Sequence, residues 1–399
     1  MKRMIVPMVF ALALFPCVIV EGEGLDRDAE TYFHRGNAYS YNGDYDRAIA
    51  DYDEAIRLNP NRAETYISRG IAYGIKKDYD RAIADYSEAI RLNPDYDAMT
   101  YNGRGLAYHD KGDYDRAIAD YDEAIRLNPN HAEAYIHRGL MYAAQGDYDR
   151  AIADFTQTIR LDPENAKAYS NRGAGYGIKG DYDRAIADYG ETELPLDAEA
   201  YYNRGLAYHD KGDYGRAIAD YDEAIRLDPN FSVAYNNRGN AYSVKGDYDR
   251  AIADFTQTIQ LNPNLVEPYN NRGNAYHRQG DYDRVIAGYG EAIRLNPEYA
   301  EAYNNRGDAY YRQGDYDRAI ADYDQTLRLD PNLAEAYYNR GIVYGIKGDY
   351  DRAIVDYSEA IRLNPENAVT TPLTYYNRGI AYAIKGDHDR PPISHRRSG

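Results

Sequence analysis

Tryptophan is absent from the 399 residues, phenylalanine occurs only 6 times, and cysteine once. The apolar bulk those residues usually supply falls to 47 tyrosines. Cys17 lies in an apolar N-terminal stretch, so no thiol remains if that stretch is removed, which suits an oxidising compartment. The usual signatures of chemistry are missing as well. There is no His-Glu-x-x-His pair, no Cys/His cluster, no Gly-rich stretch running into Lys-Ser/Thr and no Gly-x-Ser-x-Gly elbow. The Asp-x-Asp runs, such as Asp44 with Asp46, lack the loop glycine and closing glutamate of a calcium loop and read as helix caps and solvated faces. The 8 histidines recur at repeat places instead of converging: His34 and His137 share one place, His109 and His209 another. No metal, no small-molecule cofactor and no enzyme activity is expected. The net charge is −18, with acids and bases interspersed and no acidic tail. Such a surface repels phosphate, which argues against nucleic acid and against an anionic membrane surface.

What is present begins with Lys2 and Arg3, followed by an apolar run from Met4 to Val20 and a return to polarity at Glu21. A short basic region before a short apolar stretch reads as a secretory signal peptide over residues 1–22, and Pro7 and Pro16 count against a membrane-spanning helix. Export to the periplasm or outside is therefore expected, the alternative being a chain anchored by the uncleaved segment. The Leu14-Phe15-Pro16 sequence before Cys17 is a poor lipidation signal.

The rest of the chain is a repeat. The block Gly-Asp-Tyr-Asp-Arg-Ala-Ile recurs almost verbatim, beginning at Gly43, Gly112, Gly146, Gly180, Gly212, Gly246, Gly280, Gly314, Gly348 and Gly386, with Lys77 replacing the glycine once. Most spacings are 34 residues, giving ten complete units and an incomplete eleventh. In the unit 29–62, Tyr32, Gly36 and Tyr39 fall on one face of a first helix. Gly43 ends it, and Asp44 caps a second helix carrying Ala48, Ile49, Tyr52, Ala55 and Ile56 at helical spacing. Asn59-Pro60 stops that helix. One hairpin cannot bury both apolar stripes, but stacked hairpins can.

These places carry a resemblance. Tyr32, Gly36, Tyr39, Ala48, Tyr52, Ala55 and Pro60, then Tyr66, Gly70, Tyr73, Ala82, Tyr86, Ala89 and Pro94, resemble the pattern of tetratricopeptide repeat proteins over residues 29–388. The resemblance implies an all-α fold, an α-solenoid wound as a right-handed superhelix of about ten and a half hairpins. It also implies a concave groove lined by first helices and a role in protein binding. Fold is a weak guide to the partner.

Departures from the repeat are as informative as the repeat. The place before the glycine is Arg in all eleven units, from Arg35 and Arg69 to Arg378, and the second helix offers an Asp in nine of ten complete units, such as Asp51, Asp85, Asp120 and Asp154. A charge so close to the interhelical contact needs a partner, so an Arg–Asp pair between helices is expected, within a repeat or to its neighbour. Gly288 replaces the Asp in repeat eight and should leave Arg272 or an adjacent Arg without it. Repeat five reads Tyr189-Gly190-Glu191-Thr192-Glu193-Leu194-Pro195, two residues short. Its second helix should end early, dividing repeats 1–5 (29–197) from repeats 6–11 (198–390) at a bend or hinge. After Asp389-Arg390, Pro391-Pro392 forbids a second helix in the last unit and leaves a disordered tail over 391–399. The bare end could dock on a partner or a second copy.

Two places before the glycine stands a series, Asn171, Asn203, Asn237, Asn271, Asn305, Asn339 and Asn377. The resemblance places this position in the concave groove, and the series is similar to the asparagine ladder in the repeat region of O-linked N-acetylglucosamine transferases. A carboxamide both donates and accepts, so such a ladder would hold the backbone of an extended peptide without reading its side chains. The alternative is duplication copying Asn-Arg-Gly without a use. The flanking place adds Tyr202, Asn236, Asn270, Asn304, Tyr338 and Tyr376 to the groove. A two-lysine carboxylate clamp, another mode of this family, is not supported, because lysines sit at the end of the first helix, as at Lys111, Lys179 and Lys211. The expected function is an exported scaffold for proteins or extended peptides. The rivals are a self-associating envelope spacer and an accessory subunit of an envelope secretion or glycan machine.

Overall fold

A computed structural model describes residues 28–95, 97–190, 197–365 and 370–386. The N-terminal apolar segment, the end of repeat five at Leu194-Pro195 and the Pro391-Pro392 tail expected to lack a helix lie outside the described residues. The described residues form 21 helices and no strand. First helices begin at Ala29, Ala63, Ala98, Ala132, Ala166, Ala198, Ser232, Val266, Ala300, Ala334 and Thr370. These starting points number the repeats one to eleven.

The turn between the two helices of a hairpin is written in the Gly-Asp-Tyr-Asp-Arg block. Ten glycines there adopt φ between 77° and 81°, the left-handed region, and Lys77 is forced into it at φ 65°. The following Asp caps the second helix: the Asp78 carboxylate accepts from the Arg81 backbone N–H, and the Arg81 side chain folds back to the same carboxylate. Its guanidinium then lies 4.4 Å from the centre of the Tyr73 ring, a cation–π contact closing the corner. Second helices run 14 residues, as at Tyr45–Leu58, and stop before Asn-Pro or Asp-Pro. In repeat five the described part of the second helix spans Tyr182–Gly190.

Within a hairpin the helices meet at the repeat glycine. A Cβ on Gly36 would come within 2.7 Å of the Tyr52 ring, so only glycine allows Tyr52 to bury itself between Ala48 and Ala55. The chain divides into two compact units, residues 1–192 and 193–399. Within each unit the hairpins stack as an α-solenoid. Successive first helices touch, whereas successive second helices stay apart. First helices therefore form the inner layer and second helices the outer one.

The repeated arginine is a structural cross-piece. Nine pairs form within their own repeats, Arg35–Asp51, Arg69–Asp85, Arg104–Asp120, Arg138–Asp154, Arg172–Asp188, Arg204–Asp220, Arg238–Asp254, Arg306–Asp322 and Arg340–Asp356, each through Nε and Nη2 to the two carboxylate oxygens. The third nitrogen reaches the preceding repeat: Arg69 donates to Asp53, Arg104 to Ser87 at 3.0 Å and Arg172 to Thr156 at 3.3 Å. The pairing thus runs both within repeats and between them. The Asp carboxylates are nearly buried and the arginines mostly so, 7% and 18% exposed for Asp254 and Arg238. Removing one partner of such a pair costs about 3–5 kcal/mol, although the intact pair adds little net stability.

Repeat eight behaves as its missing Asp requires. Arg272 donates from Nη1 to Thr256 Oγ1 at 3.1 Å, while its Nε is buried without a partner. The lysines ending first helices are spent on similar links. Lys76, Lys111, Lys179 and Lys347 pair with Asp46, Asp80, Asp149 and Asp317 at the start of the preceding second helix. No helix among the described residues is long and apolar enough to cross a membrane.

Candidate functional site

The asparagine series falls on the inner layer. Asn171 belongs to the first unit, on the helix Ala166–Ile178. The other six stand at the same place on the first helices of repeats six to eleven, in the second unit. All six are half-buried: Asn203, Asn237, Asn271, Asn305, Asn339 and Asn377.

Their carboxamides are not equivalent. Asn237 donates from Nδ2 to the Tyr202 hydroxyl of the preceding repeat at 2.8 Å. Burial pushes the Tyr202 phenol up, and the Asn237 hydrogen bond draws it partly back. At the same places of repeats ten and eleven, burial pushes the Tyr338 phenol up and the Asn377 carboxamide draws it partly back. Where the flanking place holds Asn instead of Tyr, the next carboxamide finds another partner. Asn271 donates to Asn240 Oδ1 at 3.1 Å, and Asn305 Oδ1 accepts a long 3.5 Å bond from Asn304. Asn171, Asn203 and Asn339 make no side-chain hydrogen bond among the described residues.

The flanking place departs from expectation. Asn236, Asn270 and Asn304 were expected to line the groove, yet they are only 7%, 5% and 5% exposed. The Oδ1 atom of each is buried without a donor. They belong to the seam between repeats and not to an open surface. Tyr202 is likewise turned inward, its ring 5.0 Å from that of Phe231. Tyr376 alone matches the expected exposure, at 66%. It shares an apolar face of the helix Thr370–Ile384 with Leu373, Ile380 and Ile384.

Further polar pairs join successive first helices. Asn236 Nδ2 donates to Glu267 at 3.1 Å, and His277 pairs with Asp308 across repeats eight and nine at 2.8 Å. The repeat pattern alone does not reveal these pairs, because each joins different places of successive units. Among the described residues no cluster of three or more His, Cys, Asp or Glu is arranged to hold a metal ion.

Sequence patterns described as tetratricopeptide repeat match residues 29–62, 63–96, 102–166, 142–194, 198–231, 232–265, 255–287 and 334–367, and one described as TPR repeat matches 273–314 and 307–345. The chain belongs to the tetratricopeptide repeat family. No curated protein matches it. Solved structures share the fold. The C-terminal part of a TPR repeat-containing protein from Cytophaga hutchinsonii is 19% identical, covering 60% of this chain and 98% of that one with a TM-score of 0.53. MamA is 29% identical over 41% of this chain and 95% of its own, with a TM-score of 0.40. YrrB, described as a TPR protein with an unusual peptide-binding site, is 21% identical over 46% of this chain and 95% of its own, with a TM-score of 0.42. Tetratricopeptide hairpins thus account for both units, and no catalytic family is among the matches.

Proposed function

We propose that the chain is a non-enzymatic scaffold that binds an extended polypeptide along the inner layer of repeats six to eleven. The supporting observation is the row of six half-buried carboxamides at one place on successive first helices, with Asn203 and Asn339 making no side-chain bond of their own. An extended backbone presents alternating donors and acceptors, and a carboxamide can meet either. Grip without side-chain contacts would make such a scaffold tolerant of sequence. Export belongs to this reading on the pattern of residues 2–22.

The test is a random peptide library against the full chain. Selected peptides should bind at least tenfold more weakly to Asn203→Ala/Asn339→Ala, with its unfolding midpoint unchanged, and also to Asn237→Ala/Asn271→Ala, with its native helical signal retained. Asn171→Ala, in the other unit, should bind as the parent does. Peptides that bind equally to all variants would remove the carboxamides from the mechanism. A self-associating spacer is the second reading, favoured by the exposed Leu373, Tyr376 and Ile380. Concentration-dependent assembly abolished by Tyr376→Ser, with no peptide retained, would support it instead.

A further inference from the structure

The arginine of repeat eight keeps the posture of its equivalents without their carboxylate. In nine repeats the guanidinium presents Nε and Nη2 as a parallel fork to an aspartate, as Arg306 does to Asp322 at 2.8 Å for both bonds. In repeat eight the residue 16 places on is Gly288, and it is buried. Arg272 is nonetheless held in the same position. Its Nη1 reaches Thr256 Oγ1 at 3.1 Å, as Arg172 reaches Thr156 at 3.3 Å. Its guanidinium carbon lies 5.7 Å from the centre of the Tyr269 ring, against 5.6 Å for Arg172 over Tyr169 and Arg306 over Tyr303. A Cβ built on Gly288 would meet nothing nearer than 3.4 Å, so a side chain could start from this position without displacing its neighbours. The Arg272 Nε donor is buried and unpartnered there.

We propose that Arg272 and Gly288 form a binding site for a small monocarboxylate anion such as formate or acetate. The fork geometry selects a planar, two-oxygen acceptor, because both N–H groups can then be met at once. Depth selects a small one. The aspartates filling the equivalent place elsewhere are at most 6% exposed, so a carboxylate borne by a bound peptide would have to thread between the helices to reach the fork. The missing element of the pair is a methylene carboxylate, and acetate has that composition. The site is independent of the asparagine series and stands whether or not a peptide binds there.

The test uses the full chain labelled with 15N at arginine, with the Arg272 Nε–H signal assigned by its loss in Arg272→Lys. Added formate should move that signal saturably, in the direction of its position in Gly288→Asp, where the carboxylate is built in. The Gly288→Asp protein, checked for a native helical signal, should no longer respond. Sodium chloride at the same ionic strength is one control and a blocked glutamate peptide the other. No saturable movement with formate would overturn the proposal, as would a response that persists in Gly288→Asp. Equal movement with chloride would overturn the carboxylate assignment, and equal movement with the blocked peptide would overturn the restriction to small free anions.

Discussion

Lys77 and His137 show what a single exception to the repeat costs. Ten turns of this chain use glycine at φ near 80°, and Lys77 adopts that region without glycine's freedom. A left-handed conformation costs an L-residue roughly 1–2 kcal/mol, so Lys77→Gly should raise stability by about 1 kcal/mol, read from the urea midpoint. His137 stands where later repeats have Asn, and its Nδ1 lies 3.0 Å from Asn102 Oδ1. Burial lowers its imidazole from the ordinary 6.5 to about 4, and His109, His131 and Lys167 push the same way. The unfolded chain therefore takes up a proton as pH falls below about 6.5, well before the folded chain does. The stability tied to neutral His137 is complete above about pH 6.5 and is lost progressively down to about pH 4, about 2 kcal/mol in all after allowing for the part-exposed ring. His137→Asn should remove that part of the loss. Midpoints at pH 7 and pH 5 that fall equally in parent and variant would show that the ring plays no part.

The second helix of repeat eight, Tyr282–Leu295, collects two such exceptions. Gly288 removes the aspartate that meets Arg272, and Gly290 removes the acceptor that Asp53, Asp122, Asp222 and Asp324 supply to the next repeat's arginine. A Cβ on Gly290 would lie 3.8 Å from Arg306 Nη1, so a longer acidic side chain there could reach it. Each interior glycine also weakens the helix by about 0.5–1 kcal/mol relative to alanine. Together these losses predict native-state hydrogen exchange about tenfold faster in this helix than in Tyr248–Leu261 or Tyr316–Leu329, which lack both glycines. Gly290→Asp should slow it by supplying the link to Arg306. Equal protection in all three helices would mean that apolar packing alone sets their stability.

The fold was legible because the same physical problem is posed every 34 residues. Glycine admits Tyr52 at Gly36 and Tyr121 at Gly105 alike, so solving one hairpin solves nearly all. The Arg–Asp pairs were legible for the same reason, their separation of 16 residues being constant. The binding face was legible only as a place on a helix. Whether its carboxamide is free depends on the preceding unit, where Tyr202 occupies Asn237 but Asn236 leaves Asn271 to Asn240. The same neighbour dependence governs how the whole array melts. Repeats couple to adjacent repeats, so stability is a sum of unit and interface terms and cooperativity fails at the weakest interface. Each unit holds its own core clusters, such as that around Tyr121 and Met141 in the first and that around Tyr289 and Val285 in the second. Repeat five is two residues short before Pro195 in the sequence and lacks the isoleucine and leucine that stand there in other repeats, as Ile225 and Leu227 do. Calorimetry of the full chain should therefore resolve two transitions. Replacing Gly190–Pro195 with the eight residues Asp222–Pro229 restores the regular length and the lost apolar pair. The repaired chain should melt in a single, higher transition. If the parent already unfolds in one step, or the repaired chain still unfolds in two, the short fifth repeat is not where the array divides.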